Sequence, residues 1–217
     1  MDKNKILSDA FMWLFIGLLA CFGISYLTTT SEEMIYAVYG AFSGYGYIVY
    51  LIIEIVAALA LTIFIKKLSP FMAKFLYLLY AGLTGLSLSG IFVVYSIGSL
   101  TFVFLATALI FGTFAIIGKT TKIDLSKWGI YLFVALLAII ILEIINIFIA
   151  NHTLNMALCI ISIVIFAAYV AYDIQFALNK AMYMNTDNAA IYCAFQLFLD
   201  FINLFIKLLR LFGKRRD

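Results

Sequence analysis

Acidic side chains inside long apolar stretches are the residues of this sequence whose chemistry stands out. Glu54, Glu143, Asp173 and Asp200 each lie in a run that is otherwise largely apolar. An ionisable side chain in hydrocarbon costs roughly 3 kcal/mol or more, so each acid needs a partner or water. Acids in such places mark ion paths and proton relays, which are the chemistries that these residues suggest first.

Asp173 and Asp200 form the most specific pair among these acids. They are placed symmetrically about residues 186–187, within the polar stretch 185–188. Two antiparallel helices joined there would hold both aspartates at nearly equal depth in a membrane. If the carboxyl groups touch, both cannot ionise cheaply, and the pair shares one proton and acts as a pH sensor. The alternative is that each aspartate separately faces water or a lysine such as Lys180.

The last apolar segment carries a line of polar residues on one face of a helix. The spacing between successive members is 4, 3, 4, 3 and 4 residues, which is the helical period. The members are Gln196, Asp200, Asn203, Lys207, Arg210 and Lys214. This pattern favours a helix inside a bundle with its polar face toward a cavity or pore. An amphipathic helix lying on the membrane surface is the alternative, although a central aspartate is unusual there.

The amino-acid composition indicates whether these acids are surrounded by water or by a lipid bilayer. Of the 217 residues, 66% are hydrophobic and 12% are charged, whereas a soluble domain has about 45–50% apolar and about 25% charged residues. The composition therefore predicts an all-α membrane protein, with residues 1–217 as one polytopic domain and the lipid bilayer as its surroundings. The net charge of +3 comes from short clusters between apolar runs and does not indicate nucleic-acid binding. No cofactor motif is present in the sequence, so none is expected.

Seven stretches are long and apolar enough to cross a membrane as helices. Their predicted bounds are 8–28, 45–65, 71–92, 97–118, 128–150, 154–178 and 189–212. The loops after the first, third and fifth spans contain no lysine or arginine, which predicts a cytoplasmic N-terminus. The seventh span departs from this rule, because a full crossing puts Lys214, Arg215 and Arg216 outside. A re-entrant hairpin that returns the tail to the cytoplasm is the alternative.

Small residues recur at steps of four in two of the predicted spans. Ala81, Gly85 and Ser89 form such a row in the third span, and Ala108 and Gly112 form another in the fourth. Small residues allow helix backbones to approach closely in a bilayer. We therefore expect both rows to serve helix packing.

Several local runs resemble the Bax inhibitor-1 family of membrane proteins. The dipeptide Tyr172-Asp173 is followed at residues 199–205 by Leu-Asp-Phe-Ile-Asn-Leu-Phe, and at residues 208–213 by Leu-Leu-Arg-Leu-Phe-Gly. The connection at residues 118–126 and the run Asn-Ile-Phe at residues 146–148 are also similar to that family. The resemblance is close over the second half of the chain and looser in the first half.

The resemblance implies a fold with two groups of three helices around a central seventh helix. It also implies a pH-sensitive calcium leak in the cytoplasmic membrane of a bacterium, with protons and calcium as the ions concerned. By this resemblance Asp173 and Asp200 are the pH-sensing pair, and Glu54 is the acid of the second span. Where the family places an arginine near the cytoplasmic end of that span, this chain offers Lys66 and Lys67 as the basic partner.

Calcium binding by these residues is expected to be weak. Tight calcium sites use about 6–8 oxygen ligands. The side chains of Glu54, Asp173, Asp200 and Asn203 supply only some of them. This shortage fits a permeable cation pathway better than a storage site.

Three other classes of function are compatible with some of these features. A non-conducting regulator that binds other membrane proteins is the main alternative to a leak channel. A proton-coupled transporter is less favoured, because Pro70 lies outside every predicted span and no broken helix is indicated. An enzyme is not expected, because the residues before Asp200 are not the Gly-x-Gly of intramembrane aspartyl proteases and His152 is the sole histidine.

Overall fold

A computed structural model describes residues 3–41, 45–180 and 184–216 of the chain, and these residues form eight α-helices. The helices are α1 (Lys3–Thr30), α2 (Glu32–Ala41), α3 (Tyr45–Phe64), α4 (Pro70–Val94), α5 (Ile97–Thr120), α6 (Gly129–Ile149), α7 (His152–Lys180) and α8 (Thr186–Phe212). Seven of them are long and apolar enough to cross a membrane, which confirms the predicted all-α membrane fold with seven spans. The eighth, α2, lies in the predicted loop 29–44 and is too short to cross.

The described residues form two compact units, and α8 contributes to both. The first unit comprises Met1–Ser96, Lys180–Phe195 and Arg215–Asp217, and the second comprises Ile97–Asn179 and Gln196–Lys214. The first unit therefore contains α1 to α4 with the beginning of α8. The second contains α5 to α7 with the rest of α8.

The row of small residues in α4 packs against α1, as the sequence predicts. Ala81, Gly85 and Ser89 are all buried. A Cβ atom at Gly85 would lie 2.5 Å from the carbonyl oxygen of Cys21. The Ser25 hydroxyl directs its single proton between two carbonyl oxygens, that of Gly85 at 2.6 Å and that of Cys21 at 2.9 Å. The two backbones can approach this closely only because position 85 has no side chain.

The equivalent prediction for α5 is wrong in its position. A Cβ atom at Gly112 would meet no described atom within 4 Å, so the Ala108–Gly112 row is not a close helix contact. The close approach occurs six residues later at Gly118, where an added Cβ would overlap the backbone of Ala171 in α7. Residue type therefore predicts a close contact in α5, but the rotation of the helix decides which glycine makes it.

Within the first unit, the start of α8 and the C-terminal tail contact opposite ends of α4. Asp187 at the start of α8 forms an ion pair with Lys74 near the start of α4, with 3.2 Å between Oδ2 and Nζ. The backbone nitrogen of Arg216 donates to the carbonyl oxygen of Val94, the last residue of α4, at 2.9 Å. The helix α8 is continuous over 27 residues, about 40 Å, so it contains no hairpin and is long enough to cross a membrane.

This arrangement predicts which surface of the membrane the basic tail reaches. Single cysteines introduced as Gly98→Cys and Lys214→Cys should react with a membrane-impermeant thiol reagent from the same side. Lys67→Cys should react from the opposite side, because α4 separates it from Gly98. The three native cysteines are buried and provide a low background.

With a cytoplasmic N-terminus, Gly98→Cys and Lys214→Cys should react from outside the cell. Reaction of Lys214→Cys and Lys67→Cys from the same side would show that α8 does not cross. Reaction of Gly98→Cys from the cytoplasm would overturn the predicted orientation.

Candidate functional site

The structure brings Asp173 of α7 and Asp200 of α8 into direct contact inside the second unit. Their side chains are hydrogen-bonded to each other, and the two residues are only 6% and 5% exposed. The second carboxyl oxygen of Asp200, Oδ2, is buried and has no other partner among the described residues. A carboxylate only accepts hydrogen bonds, so this contact requires one proton on the pair.

The two residues of α7 that precede Asp173 pack closely against α5 and α6. Gly118 of α5 admits the backbone of Ala171, and any side chain at position 118 would collide with it. Gly129, the first residue of α6, admits the hydroxyl end of Tyr172, which would lie 2.5 Å from an added Cβ atom. Two glycines therefore fix the position of α7 immediately beside Asp173.

A further contact on α7 was not predicted from the sequence. The side chain of Gln175 accepts a hydrogen bond from the backbone nitrogen of Leu125 at 2.7 Å and donates to the carbonyl oxygen of Ile123 at 3.0 Å. Between them Asp124 accepts from the backbone nitrogen of Ser126 at 3.0 Å, and this bond holds the pKa of Asp124 below its usual value. The α5–α6 connection is thus attached to α7 two residues after Asp173. An amide side chain in an apolar helix was the signal that could have indicated it.

Aromatic rings position α8 next to Asp200. Phe201, the following residue, packs against Phe104 and Phe111 of α5, with ring centroids 5.4 and 5.5 Å apart. One turn later Phe205 also contacts Phe104, at 6.5 Å. These ring pairs lie at the spacing at which aromatic side chains attract each other. They hold the face of α8 that adjoins Asp200 against α5.

The polar face of α8 continues toward the end of the helix with a second ionic contact. Lys207 forms an ion pair with Glu143 of α6, and the side chain of Lys207 is only 9% exposed. Each acid in an apolar run was expected to need a partner or water, and for Glu143 the structure supplies a largely buried lysine as the partner. Asn203, predicted as a cation ligand, donates its side-chain amide to the carbonyl oxygen of Leu199 at 2.8 Å.

A polar cavity lies beside the Lys207–Glu143 pair in the second unit. Its volume is about 360 Å³, and Glu143, Asn146, Asn155 and Arg210 supply its polar lining. The polar face of α8 is therefore directed at Asp173, at Glu143 and at a cavity. Most of α8 is buried as well, which excludes a helix lying on the membrane surface.

Glu54 of α3 occupies a different environment in the first unit. Its two carboxylate oxygens accept hydrogen bonds from the Thr84 hydroxyl at 2.8 Å and from the Ser87 hydroxyl at 2.9 Å. Both hydroxyls belong to α4, at a spacing of three residues that places them on one face. This pair of donors was not predicted from the sequence. Hydroxyl residues at helical spacing in a neighbouring span were the available signal.

The predicted basic residues and the predicted calcium ligands form no closed site in the described part of the chain. Lys66 and Lys67 are exposed in a 3₁₀ turn after α3, and neither takes part in an ion pair among residues 3–41, 45–180 and 184–216. In those same ranges no three His, Cys, Asp or Glu side chains converge as metal ligands would. The roles of these residues toward calcium stay predictions.

Comparison with known proteins agrees with the resemblance seen in the sequence. Residues 3–217 match the sequence family described as "Inhibitor of apoptosis-promoting Bax1". The chain is 34% identical to the inner membrane protein YbhL of Escherichia coli K12, covering 97% of this chain and 92% of that protein. It is 35% identical to an uncharacterized protein of Borreliella burgdorferi, over 99% of this chain and 94% of the relative. The relatives and the seven spans together indicate a multi-pass protein of a membrane. The chain belongs to the Bax inhibitor-1 family.

Proposed function

We propose that the protein is a calcium-permeable leak pathway whose opening depends on the proton shared by Asp173 and Asp200. The observation that supports this proposal is the buried hydrogen bond between the two carboxyl groups. A stabilising contact that depends on one proton is lost when that proton leaves. The pair therefore links the acidity of the medium to the packing of α7 against α8.

The size of the effect follows from elementary electrostatics. Two unit charges about 4 Å apart repel by about 4 kcal/mol at an effective dielectric constant of about 20. Since a tenfold change in an equilibrium corresponds to about 1.4 kcal/mol, full ionisation shifts a two-state packing roughly a thousandfold. Deprotonation therefore separates α7 from α8. The glycine and aromatic contacts beside the pair are the interactions that this repulsion must overcome.

Cation attraction is assigned to Glu54 and to the aspartate pair. Calcium is bound tightly only where about 6–8 oxygens surround it, and no three acidic, histidine or cysteine side chains of the described residues converge as such a site requires. An ion that meets so few ligands is released readily, as conduction requires. In α3, both carboxyl oxygens of Glu54 accept hydrogen bonds from hydroxyl groups of α4, so this acid is held in place beside α4.

The first prediction of this proposal concerns the pH dependence of calcium flux into liposomes that contain only this protein. The double variant Asp173→Asn with Asp200→Asn removes the titration and preserves the shape, so flux should no longer vary with pH. Each single variant should lose most of the pH dependence, because one carboxyl group cannot form a shared-proton pair. Asp187→Asn, at the exposed start of α8, is the matched control and should keep the parent profile.

Two results would contradict this proposal in different ways. A double variant that keeps the parent pH midpoint shows that the aspartates are not the sensor. Flux equal to that of protein-free liposomes at every pH shows that the protein does not conduct calcium. The second result would favour a regulator that binds other membrane proteins.

The second prediction separates the charge of Glu54 from its hydrogen bonds. Glu54→Gln removes the charge and retains an acceptor and a donor for the hydroxyls, so calcium flux should fall severalfold while the thermal midpoint changes little. Thr84→Val removes one hydrogen bond and leaves the charge, so it should lower the thermal midpoint more than the flux. Equal flux in Glu54→Gln and the parent protein would restrict Glu54 to a packing role.

A further inference from the structure

We propose that α3, α4 and the turn between them form a binding site for one anionic phospholipid. An acyl chain occupies an apolar cavity between the two helices, and the phosphate-bearing headgroup lies against Lys66 and Lys67. This site belongs to the first unit and involves neither the aspartate pair nor Glu54, so it is independent of the proposed calcium leak.

The cavity is suited to an acyl chain by its size and its lining. Its volume is about 290 Å³, and almost all of the surface that it offers is apolar. The side chains that define it come from both helices and include Ala57, Ala60, Leu61, Phe64, Leu76 and Leu83. Small alanines on α3 opposite leucines on α4 leave the empty space, because the leucines are too short to fill it.

The position of the cavity places its end beside two lysines. Two residues that line the cavity flank the 3₁₀ turn Ile65–Lys67. Phe64 immediately precedes the turn and Leu68 immediately follows it. From Phe64 the lining extends along α3 to Ala57, about 10 Å away. An acyl chain in this cavity would begin near the lysines and extend into the hydrocarbon, as the tail of a phospholipid extends from its headgroup.

The turn that carries the lysines is fixed from the inside. The side-chain amide of Asn188, which is fully buried, donates hydrogen bonds to the carbonyl oxygens of Ile65 and Leu68, both at 2.8 Å. Ile65 is fully buried as well, whereas Lys66 and Lys67 are exposed. The backbone of the turn is therefore held in place while both lysines are exposed, so little ordering of the backbone is needed when an anion binds.

The charges at this end of the first unit favour an anion. The described basic residues there are Lys3, Lys5, Lys66, Lys67 and Lys74, and the described acids are Asp9 and Asp187. Asp187 is already paired with Lys74, and the two ion pairs of the described residues involve neither Lys66 nor Lys67. The lysines of the turn are thus available to a phosphate group at the membrane surface.

The headgroup determines which lipid binds. Lipid tails are as apolar as leucine, so filling the cavity distinguishes poorly between one lipid and another. A lysine near a charged membrane surface favours an anionic lipid roughly fivefold. Two lysines beside one cavity therefore select phosphatidylglycerol over phosphatidylcholine with the same chains.

Native mass spectrometry of the purified full-length protein in detergent tests this site. The protein is titrated with phosphatidylglycerol or with phosphatidylcholine of identical acyl chains. One phosphatidylglycerol should bind at least tenfold more tightly, and high ionic strength should reduce this preference in the unmodified protein. The double variant Lys66→Gln with Lys67→Gln should bind both lipids equally, whereas Ala57→Phe should bind both weakly.

Matched controls distinguish the site from general effects of charge and bulk. Lys119→Gln with Lys122→Gln removes two lysines of the second unit and should keep the lipid preference. Ala138→Phe adds the same ring to an exposed position of α6 and should keep the bound lipid. Equal affinities of the parent protein for the two lipids would overturn the proposal. So would an unchanged preference in the Lys66–Lys67 variant, or unchanged phosphatidylglycerol binding in Ala57→Phe.

Discussion

A carboxyl group in hydrocarbon must find a proton, a cation or hydrogen-bond donors, and this requirement governs the polar structure of the protein. Three different solutions are used. Glu54 receives two hydroxyl hydrogen bonds from α4, Glu143 receives the ammonium group of Lys207, and Asp200 is hydrogen-bonded to Asp173. The first two solutions supply hydrogen-bond donors or a cation to the carboxyl group. The third requires a shared proton, which is why the proposed function assigns the pH response to the aspartate pair.

In the proposed function the aspartate pair acts as a switch, and this role requires surroundings that are closely packed and still separable. Glycines at positions 118 and 129 let α7 approach its neighbours without intervening side chains. Phenylalanine rings hold α8 against α5 through dispersion and ring electrostatics, which have no covalent or ionic component. Such contacts are individually weak, so a repulsion of several kcal/mol between two carboxylates is comparable with their sum. Packed helices of this kind have discrete arrangements rather than a continuous range of positions.

Much of the fold and part of the candidate site followed from the sequence for simple physical reasons. Hydrocarbon thickness sets the length of a span, so seven apolar runs gave seven helices. A short loop makes its two helices antiparallel, so equal distances from residues 186–187 placed Asp173 and Asp200 at the same depth. The partners of the other acids could not be predicted in this way. The helix α6 is apolar on nearly every face, so hydropathy does not reveal that Glu143 faces Lys207. Hydropathy also does not give the rotation of α5, which makes Gly118 rather than Gly112 the close contact.

The most direct test of the shared proton is the infrared spectrum of the carboxyl groups in lipid. The spectrum of the parent protein minus that of the double variant Asp173→Asn with Asp200→Asn isolates the pair from Glu54 and Glu143. At neutral pH the account predicts one protonated carboxyl band and one carboxylate band in this difference, and a loss of the protonated band as the pH rises. Two carboxylate bands with no protonated carboxyl at neutral pH would contradict it.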